Sequence, residues 1–478
     1  MELTSLKLNC DYLNLDDEFY QRLSPSPLKK AGLIDYSSSA AQLIGLNPQK
    51  IDAEHLCKLI NGERLFEGSQ PYAMCYAGHQ FGFYSPRLGD GRVLNLGENR
   101  GWHLQLKGSG PTLYSRNGDG RAVFRSSIRE YLMSEAMFHL GVPTSRALGI
   151  IKSEQEVQRE RIEKGAIVLR LSPSWIRFGH FEYFFYKKKY TKLKALLDYT
   201  LQASFPHLQS KKDAYLLFFK EVVASTAKLI ASWQALGFNH GVMNTDNMSI
   251  MGLGIDYGPF AFMNKYQSDY ICNHSDTEGR YAFANQPYIA QWNLSKLMHA
   301  LSPLINEEAM QEALNKFREL YTQHYTRLML DKLGLEEVYK EDRLFIRSTL
   351  KMLQANQTDY TGFFRTLSHY QEDSSIFTNL AINHSDLKKW LPTYKKRLLQ
   401  QDILASDRNK KMLKTNPKYI LKNHLIQEAI EGLERGENEV FEILKTLLQA
   451  PYDENQGYDS YARSTQDALA NLQLSCSS

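Results

Sequence analysis

Residues 237–260 read GFNHGVMNTDNMSIMGLGIDYGPF. A His-Gly step comes first, then Asp246 beside Asn247, then Asp256-Tyr257-Gly258 nine residues beyond the Asn. Carboxylate and amide oxygens together are the donor set of a hard divalent cation. A second Asp next to glycine suits backbone that must crowd a metal-bound phosphate. The same residues also suit a plain turn, and Asp256-Tyr257-Gly258 suits the stop of a helix or strand. What surrounds the stretch decides between these. It directly follows KEVVASTAKLIASWQALGF, in which Val223, Thr226, Ile230, Trp233 and Leu236 form one helical stripe that Gly237 stops.

Working upstream, LGDGRVLNLGE and WHLQLKGSG within residues 86–110 read as two short strands bounded by glycines. RSSIREYLMSEAMFHLGVPTS then reads as a helix. Ser127 and Glu130 have capping-box spacing, Ile128, Leu132, Ala136 and Leu140 recur on one face, and Gly141 with Pro143 ends it. AIVLRLS is a further strand. Residues 1–70 read as short helices and turns, and beyond about residue 290 the pattern is helical almost throughout.

The 478 residues carry 43% apolar and 23% charged side chains, ordinary for a soluble globular protein of two to four domains or one large enzyme. Lys plus Arg number 57 and Asp plus Glu 53, a net charge of +4, which is no electrostatic footprint for nucleic acid. The run Lys187-Lys188-Lys189 reads as solvated surface. The N-terminus has neither a secretory signal nor a transit pattern, and no apolar run is long enough to span a membrane. Five cysteines without a CxxC argue against a zinc module and a secreted disulfide scaffold. A cytoplasmic protein is expected, with no nucleic-acid and no membrane partner.

In order, the chain presents a β-rich half with glycines and a strand lysine, a helix with an early Glu, and a helical half opening on the Asp-Asn…Asp-x-Gly loop. That is the parts list of a protein kinase. Glycines such as Gly89 and Gly91 let backbone N–H groups approach phosphate, or merely turn a hairpin. Lys107 can reach phosphate oxygens with Glu130 holding it, or be a surface lysine beside a helix cap. Asn247 and Asp256 can carry a metal. The departures matter as much. His240 is followed by Gly and position 242 is Val, so the usual His-Arg-Asp base is missing. Asp246 is the only nearby carboxylate left for that work, and His240 reads as a packed structural side chain. Arg92, Arg121, Arg170 and Arg177 flank the glycine-rich and strand segments, as if one end of a triphosphate were clamped.

With these motifs the chain resembles the SelO (selenoprotein O-like, or YdiU) family of kinase-fold protein adenylyltransferases. The resemblance rests on YAGHQFG (76–82), LGDGR (88–92), LKGSG (106–110), YSRNGDGRAVFRSSIRE (114–130), RFGHFE (177–182), HGVMNTDNMS (240–249), DYGPF (256–260) and NHSDTEGRY (273–281), and covers most of the chain. It implies an α+β, protein-kinase-like bilobal fold. Residues 1–75 would be an N-terminal extension, 76–185 a β-rich lobe with the nucleotide loop, 186–300 a helical lobe with the catalytic and metal loop, and 301–478 a helical C-terminal region with a polar tail. It implies ATP bound in a flipped orientation with Mg²⁺ or Mn²⁺, and AMP transferred to Ser, Thr or Tyr hydroxyls of proteins, redox-related ones among them, and of the enzyme itself. Carried over, Gly89, Gly91 and Arg92 form the nucleotide loop. Lys107, Asp119, Gly120, Arg170 and Arg177 hold phosphates, and Glu130 pairs with Lys107. Asp246 accepts the proton, and Asn247 and Asp256 bind the metal. Some relatives carry selenocysteine near the C-terminus where this chain has Cys476. A redox-sensitive disulfide between Cys272 and Cys476 is expected from the tail position of one thiol and the site-proximal position of the other. Two rival readings stay open at this level: a kinase transferring the γ-phosphate, and an inactive nucleotide-binding scaffold.

Overall fold

The two strands read at 86–110 form a hairpin, Val93–Asn99 against Trp102–Lys107, in the middle of an eight-stranded antiparallel sheet. The computed structural model of the chain describes residues 1–463 and is mixed α+β, with the sheet in its first half and helices through the rest. Along its main path the sheet runs Tyr20–Arg22, Tyr72–Met74, Val93–Asn99, Trp102–Lys107, Ile162–Ser172, Arg146–Gln158, Ala31–Tyr36, and Ala122–Val123 adds to Ile162–Ser172. In register, Arg170 lies opposite Gln105, and Gln105 opposite Asn95. Side chains alternate along a strand. Leu104, Leu106, Leu169 and Leu171 therefore point to one face, and Gln105, Lys107 and Arg170 to the other.

The leucine face packs on Leu56, Leu59 and Ile60 of the helix Ala53–Ile60. Each such side chain, fully buried, contributes about 1.5–3 kcal/mol. The N-terminal segment is thus more than helices and turns. Its strands Tyr20–Arg22 and Ala31–Tyr36 enter the sheet, the second beside Arg146–Gln158, more than a hundred residues away in sequence. A partner so distant leaves no local signal for a short strand.

The other face meets the helix Phe124–His139. This helix begins at Phe124, with Val123 as a cap that makes no side-chain bond. The capping box expected between Ser127 and Glu130 therefore does not form. Residues three apart share a helix face in any case, and here that face looks into a cavity. The long helix Ala214–Leu236 stops at Gly237, whose φ of +70° is left-handed, as the stripe and its glycine predict. Phe238–Asn239 then pairs with Ala261–Phe262. The opening stretch is thereby closed at its ends by a two-residue β-ladder, and Asp246, Asn247 and Asp256 sit on one excursion of chain. Among the described residues no helix is long and apolar enough to cross a membrane.

A second core farther along gathers Met329, Leu333, Tyr360, Phe364, Trp390 and Tyr394. Lys332 is buried beside it with its ammonium over the Phe364 ring (4.4 Å) and the Tyr360 ring (5.5 Å), and it has no ion-pair partner among the described residues. Burial pulls this amine down to about 7. An unfolded lysine titrates near 10.4, so between about pH 7 and 10 the unfolded chain binds a proton the folded chain lacks. Stability then rises with pH, and the cost of Lys332 is fully present below about 7. Lys332→Met is expected to raise stability by about 1–3 kcal/mol at pH 7, with the gain shrinking toward pH 10. Thermal melts of both proteins across pH check this, and a destabilised Met variant would refute it.

Candidate active site

Between the polar face of the sheet, the helix Phe124–His139 and the 237–260 excursion lies a cavity of about 600 Å³. Gly89, Gly91, Arg92, Lys107, Asp119 and Gly120 line it from the sheet side. Glu130, Arg170 and Arg177 line its centre, and Asp246, Asn247 and Asp256 its far wall. All the nucleotide, metal and base residues read from the sequence meet in this one space.

Its centre is an ionic cluster. Lys107 Nζ lies 2.8 Å from Glu130 Oε2 and 3.2 Å from Asp256 Oδ1. Arg170 Nη1 donates to Glu130 Oε1 at 2.7 Å and to Asp256 Oδ1 at 2.5 Å. Arg177 Nη1 donates to Asp256 Oδ2 at 2.7 Å and to the Asp246 carbonyl at 2.9 Å. Three cations thus share two carboxylates, an imbalance that suits an anionic ligand. Burial works to raise Glu130 and Asp256, but it is outweighed. Lys107 and Arg170 hold Glu130 below its ordinary value, and the same two with Arg177 hold Asp256 far below. Burial lowers Lys107 against the pull of both carboxylates. Asp256 has φ +53°, a left-handed conformation that non-glycine residues hold only when their surroundings enforce it, often at functional sites. Three cations on its carboxylate do so here.

Asp246 is different. Its Oδ2 accepts from Gln80 Nε2 at 3.2 Å, while Oδ1 is buried with no partner among the described residues. Burial raises this carboxyl to about 7, with Arg177 pulling the other way. A Cβ on Gly78 would stand 2.6 Å from Asp246 Oδ1, so only glycine leaves that oxygen its place. The loop behind Asp246 is braced. Glu182 accepts from Thr245 Oγ1 at 2.7 Å and meets His79 Nδ1 at 2.9 Å, and the backbone N–H of His79 donates to Thr245 Oγ1 at 2.7 Å.

Next to it, the amide nitrogen of Asn247 is spent on the Val242 carbonyl at 3.0 Å, which leaves its oxygen as the end available to a cation. Among the described residues no three His, Cys, Asp or Glu side chains gather as a metal-binding group. One carboxylate and one amide oxygen fit a cation of the Mg²⁺ type, which takes one or two protein oxygens and fills its shell with phosphate oxygens and water.

Other expectations are placed with modifications. At Gly89 and Gly91 an added Cβ would strike Tyr114, at 2.5 Å from its ring and 2.9 Å from its carbonyl oxygen. The glycines thus admit the 111–120 segment as well as lining the cavity. Asp119 lies at the rim, where Arg159 forks onto it at 2.8 and 2.9 Å. His240 is buried, bonded to the Ile255 carbonyl and stacked on Trp233, as a structural histidine. Cys272 is buried, its Sγ on the Pro259 carbonyl, and burial pushes its thiol far up. Cys476 lies outside the described residues.

Sequence reading missed a chain of polar groups behind the cluster. Asp90 accepts from Asn95, Asn95 from Gln105, and Gln105 from Arg170. Asp90 itself is buried and raised to about 6. Strand alternation was the available signal, because Gln105 stands two residues before Lys107 on the same face.

The family model described as protein adenylyltransferase SelO matches residues 2–450. A protein nucleotidyltransferase YdiU from Pseudomonas fluorescens strain Pf-5 is 44% identical over all of this chain and 99% of its own length. One of the same description from Thioalkalivibrio sulfidiphilus is 44% identical with both chains fully covered. A third, from Pectobacterium atrosepticum, is 45% identical over 96% of each.

Proposed function

The chain belongs to the SelO family of protein adenylyltransferases, and from that premise we propose that it moves AMP from ATP to Ser, Thr or Tyr hydroxyls of proteins, its own included. It is a nucleotidyltransferase, and a kinase or an inactive scaffold finds no support among its relatives. The observation that carries the finer reading is a cavity in which a three-cation cluster stands beside a buried carboxylate, one oxygen of which has no hydrogen-bond partner among the described residues.

In this reading the sheet region and the following helices act as the two lobes of a kinase-like fold, meeting at the cavity. Lys107, Arg170 and Arg177 hold the β- and γ-phosphates, with Arg92 and Gly120 lining the cavity beside them and Asp119 at its rim. The α-phosphorus is then the part left open to attack. Asp246 Oδ1 takes the proton of the acceptor hydroxyl as its oxygen forms a bond to the α-phosphorus. The bond from that phosphorus to the bridging oxygen breaks, and pyrophosphate leaves with the electron pair. Asn247 and Asp256 would hold Mg²⁺ or Mn²⁺, which supplies charge neutralisation on the phosphate oxygens. To meet it, Asp256 must share its oxygens with the cations that grip it in the free protein. Glu130 keeps Lys107 and Arg170 in place when that happens.

Incubation with ATP and either cation, followed by peptide mapping, should give AMP adducts on Ser, Thr or Tyr, and chelation by EDTA should abolish them. Adducts that persist under chelation, or that sit only on other residue types, would refute the reading.

Glu130→Gln keeps the shape and removes one of the two carboxylates that balance the cluster. Transfer should fall by on the order of 10- to 100-fold, with only a modest change in melting temperature. Steady-state rates beside a thermal melt test it. Full activity would return Glu130 to a structural role.

A further inference from the structure

The helix carrying Glu130 is also gripped from behind. Asn423–Arg435 and Glu439–Gln449, two helices from the far end of the chain, pack against it in the same core. Phe441 stacks on Tyr131 with centroids 6.3 Å apart, and the Tyr131 hydroxyl donates to Asp35, which also accepts from Lys445 at 3.0 Å. Next to Glu130, the Arg129 Nη2 donates to Asn423 Oδ1 at 3.1 Å and to the Phe260 carbonyl at 3.3 Å. Asn423 Nδ2 donates to that same carbonyl at 3.3 Å, and the guanidinium lies 4.6 Å over the Phe260 ring. Phe260 ends the DYGPF segment that begins at Asp256.

Arg129 is a buried cation with no ion-pair partner among the described residues, and its Nε has no hydrogen-bond partner there. Packing alone would favour a hydrocarbon at such a site. What the guanidinium does that a hydrocarbon cannot is bond two separate elements at once. Those elements are the Asp256 segment and the start of a C-terminal helix.

We propose that the helix pair 423–449 is an internal positioning element for the Lys107–Glu130 pair. It acts through Asn423 on Arg129 and through Phe441 on Tyr131, and Arg129 couples the Glu130 helix to the Asp256 segment. Asn423, Phe441 and Arg129 are positioning residues, and the proposal rests on the reading of Lys107 and Glu130 as the groups that hold the nucleotide. The function of the C-terminal helices is then to keep that pair closed without help from a partner or a modification.

The test uses the full-length chain with two variants that loosen the grip at separate points, Asn423→Ala and Phe441→Leu. Each is made in the parent and in Glu130→Gln. Hydrogen exchange should accelerate in residues 124–139 and 256–260, by on the order of tenfold. The Kd for ATP should rise by on the order of tenfold in the parent and by less than about twofold in Glu130→Gln, because the pair being positioned is already gone there. If one variant fails to fold, the other carries both readings. Unchanged exchange in those two segments, or an equal rise in Kd in both backgrounds, overturns the proposal. A Glu130→Gln protein with unaltered affinity and transfer would instead sink the reading of Glu130, while the exchange data still decide whether the grip exists.

Discussion

Asp256→Ala is expected to lose transfer by on the order of 10³-fold and to melt earlier than the parent chain. The two effects have one origin. Asp256 is the only carboxylate within ion-pair distance of Arg177, at 2.7 Å, among the described residues, and it shares Lys107 and Arg170 with Glu130. Its removal leaves a buried guanidinium without its counter-charge, which costs about 3–5 kcal/mol. The same removal takes away the carboxylate proposed to hold the metal. Affinity for ATP should therefore lose its dependence on Mg²⁺ or Mn²⁺. Affinity in EDTA should persist or rise, because three cations then face the triphosphate uncompensated. Titration calorimetry with and without metal separates these outcomes. An Asp256→Ala protein with parental turnover at saturating ATP and metal would contradict the assignment.

Asp246→Asn should slow transfer by about 10²- to 10⁴-fold and leave ATP binding nearly unchanged, since among the described residues the side chain accepts a hydrogen bond from Gln80 and forms no ion pair with the cluster cations. Its carboxyl is raised to about 7 by burial. A base acts only when deprotonated, so kcat/KM should fall on the acid side of about pH 7 with a slope of one, and the Asn variant should lack that limb. The pH profile of both proteins, taken beside their ATP affinities, is the check. An Asn variant with the parental rate and profile would remove Asp246 from the chemistry.

The residues with distinctive chemistry were legible in the sequence because side-chain type and chain order carry them. Lys107, Glu130, Asp246, Asn247 and Asp256 each needed only a motif and a neighbour, and they meet in one cavity. What stayed hidden depends on distant partners. Ala31–Tyr36 is a strand because Arg146–Gln158 lies beside it, and nothing local says so. Ser127 and Glu130 matched a capping box because residues three apart share a helix face whether they cap it or line a cavity. The buried amides Asn95 and Gln105 look like surface residues until the sheet register sets them between Asp90 and Arg170. YAGHQFG was visible as a motif but had no role until Gly78 and Gln80 were seen against Asp246. The grip of residues 423–449 on the Glu130 helix joins positions about 300 apart, beyond any reading of local pattern.

In the proposed reaction the α-phosphorus of ATP, and not the γ, receives the acceptor hydroxyl. Parallel incubations with ATP labelled at the α- or the γ-phosphate, in the presence of Mg²⁺ or Mn²⁺, test it most directly. Label should appear on protein, the enzyme included, from the α position only, with the γ label recovered as pyrophosphate. Equal incorporation of γ label into protein would contradict it and make the chain a kinase.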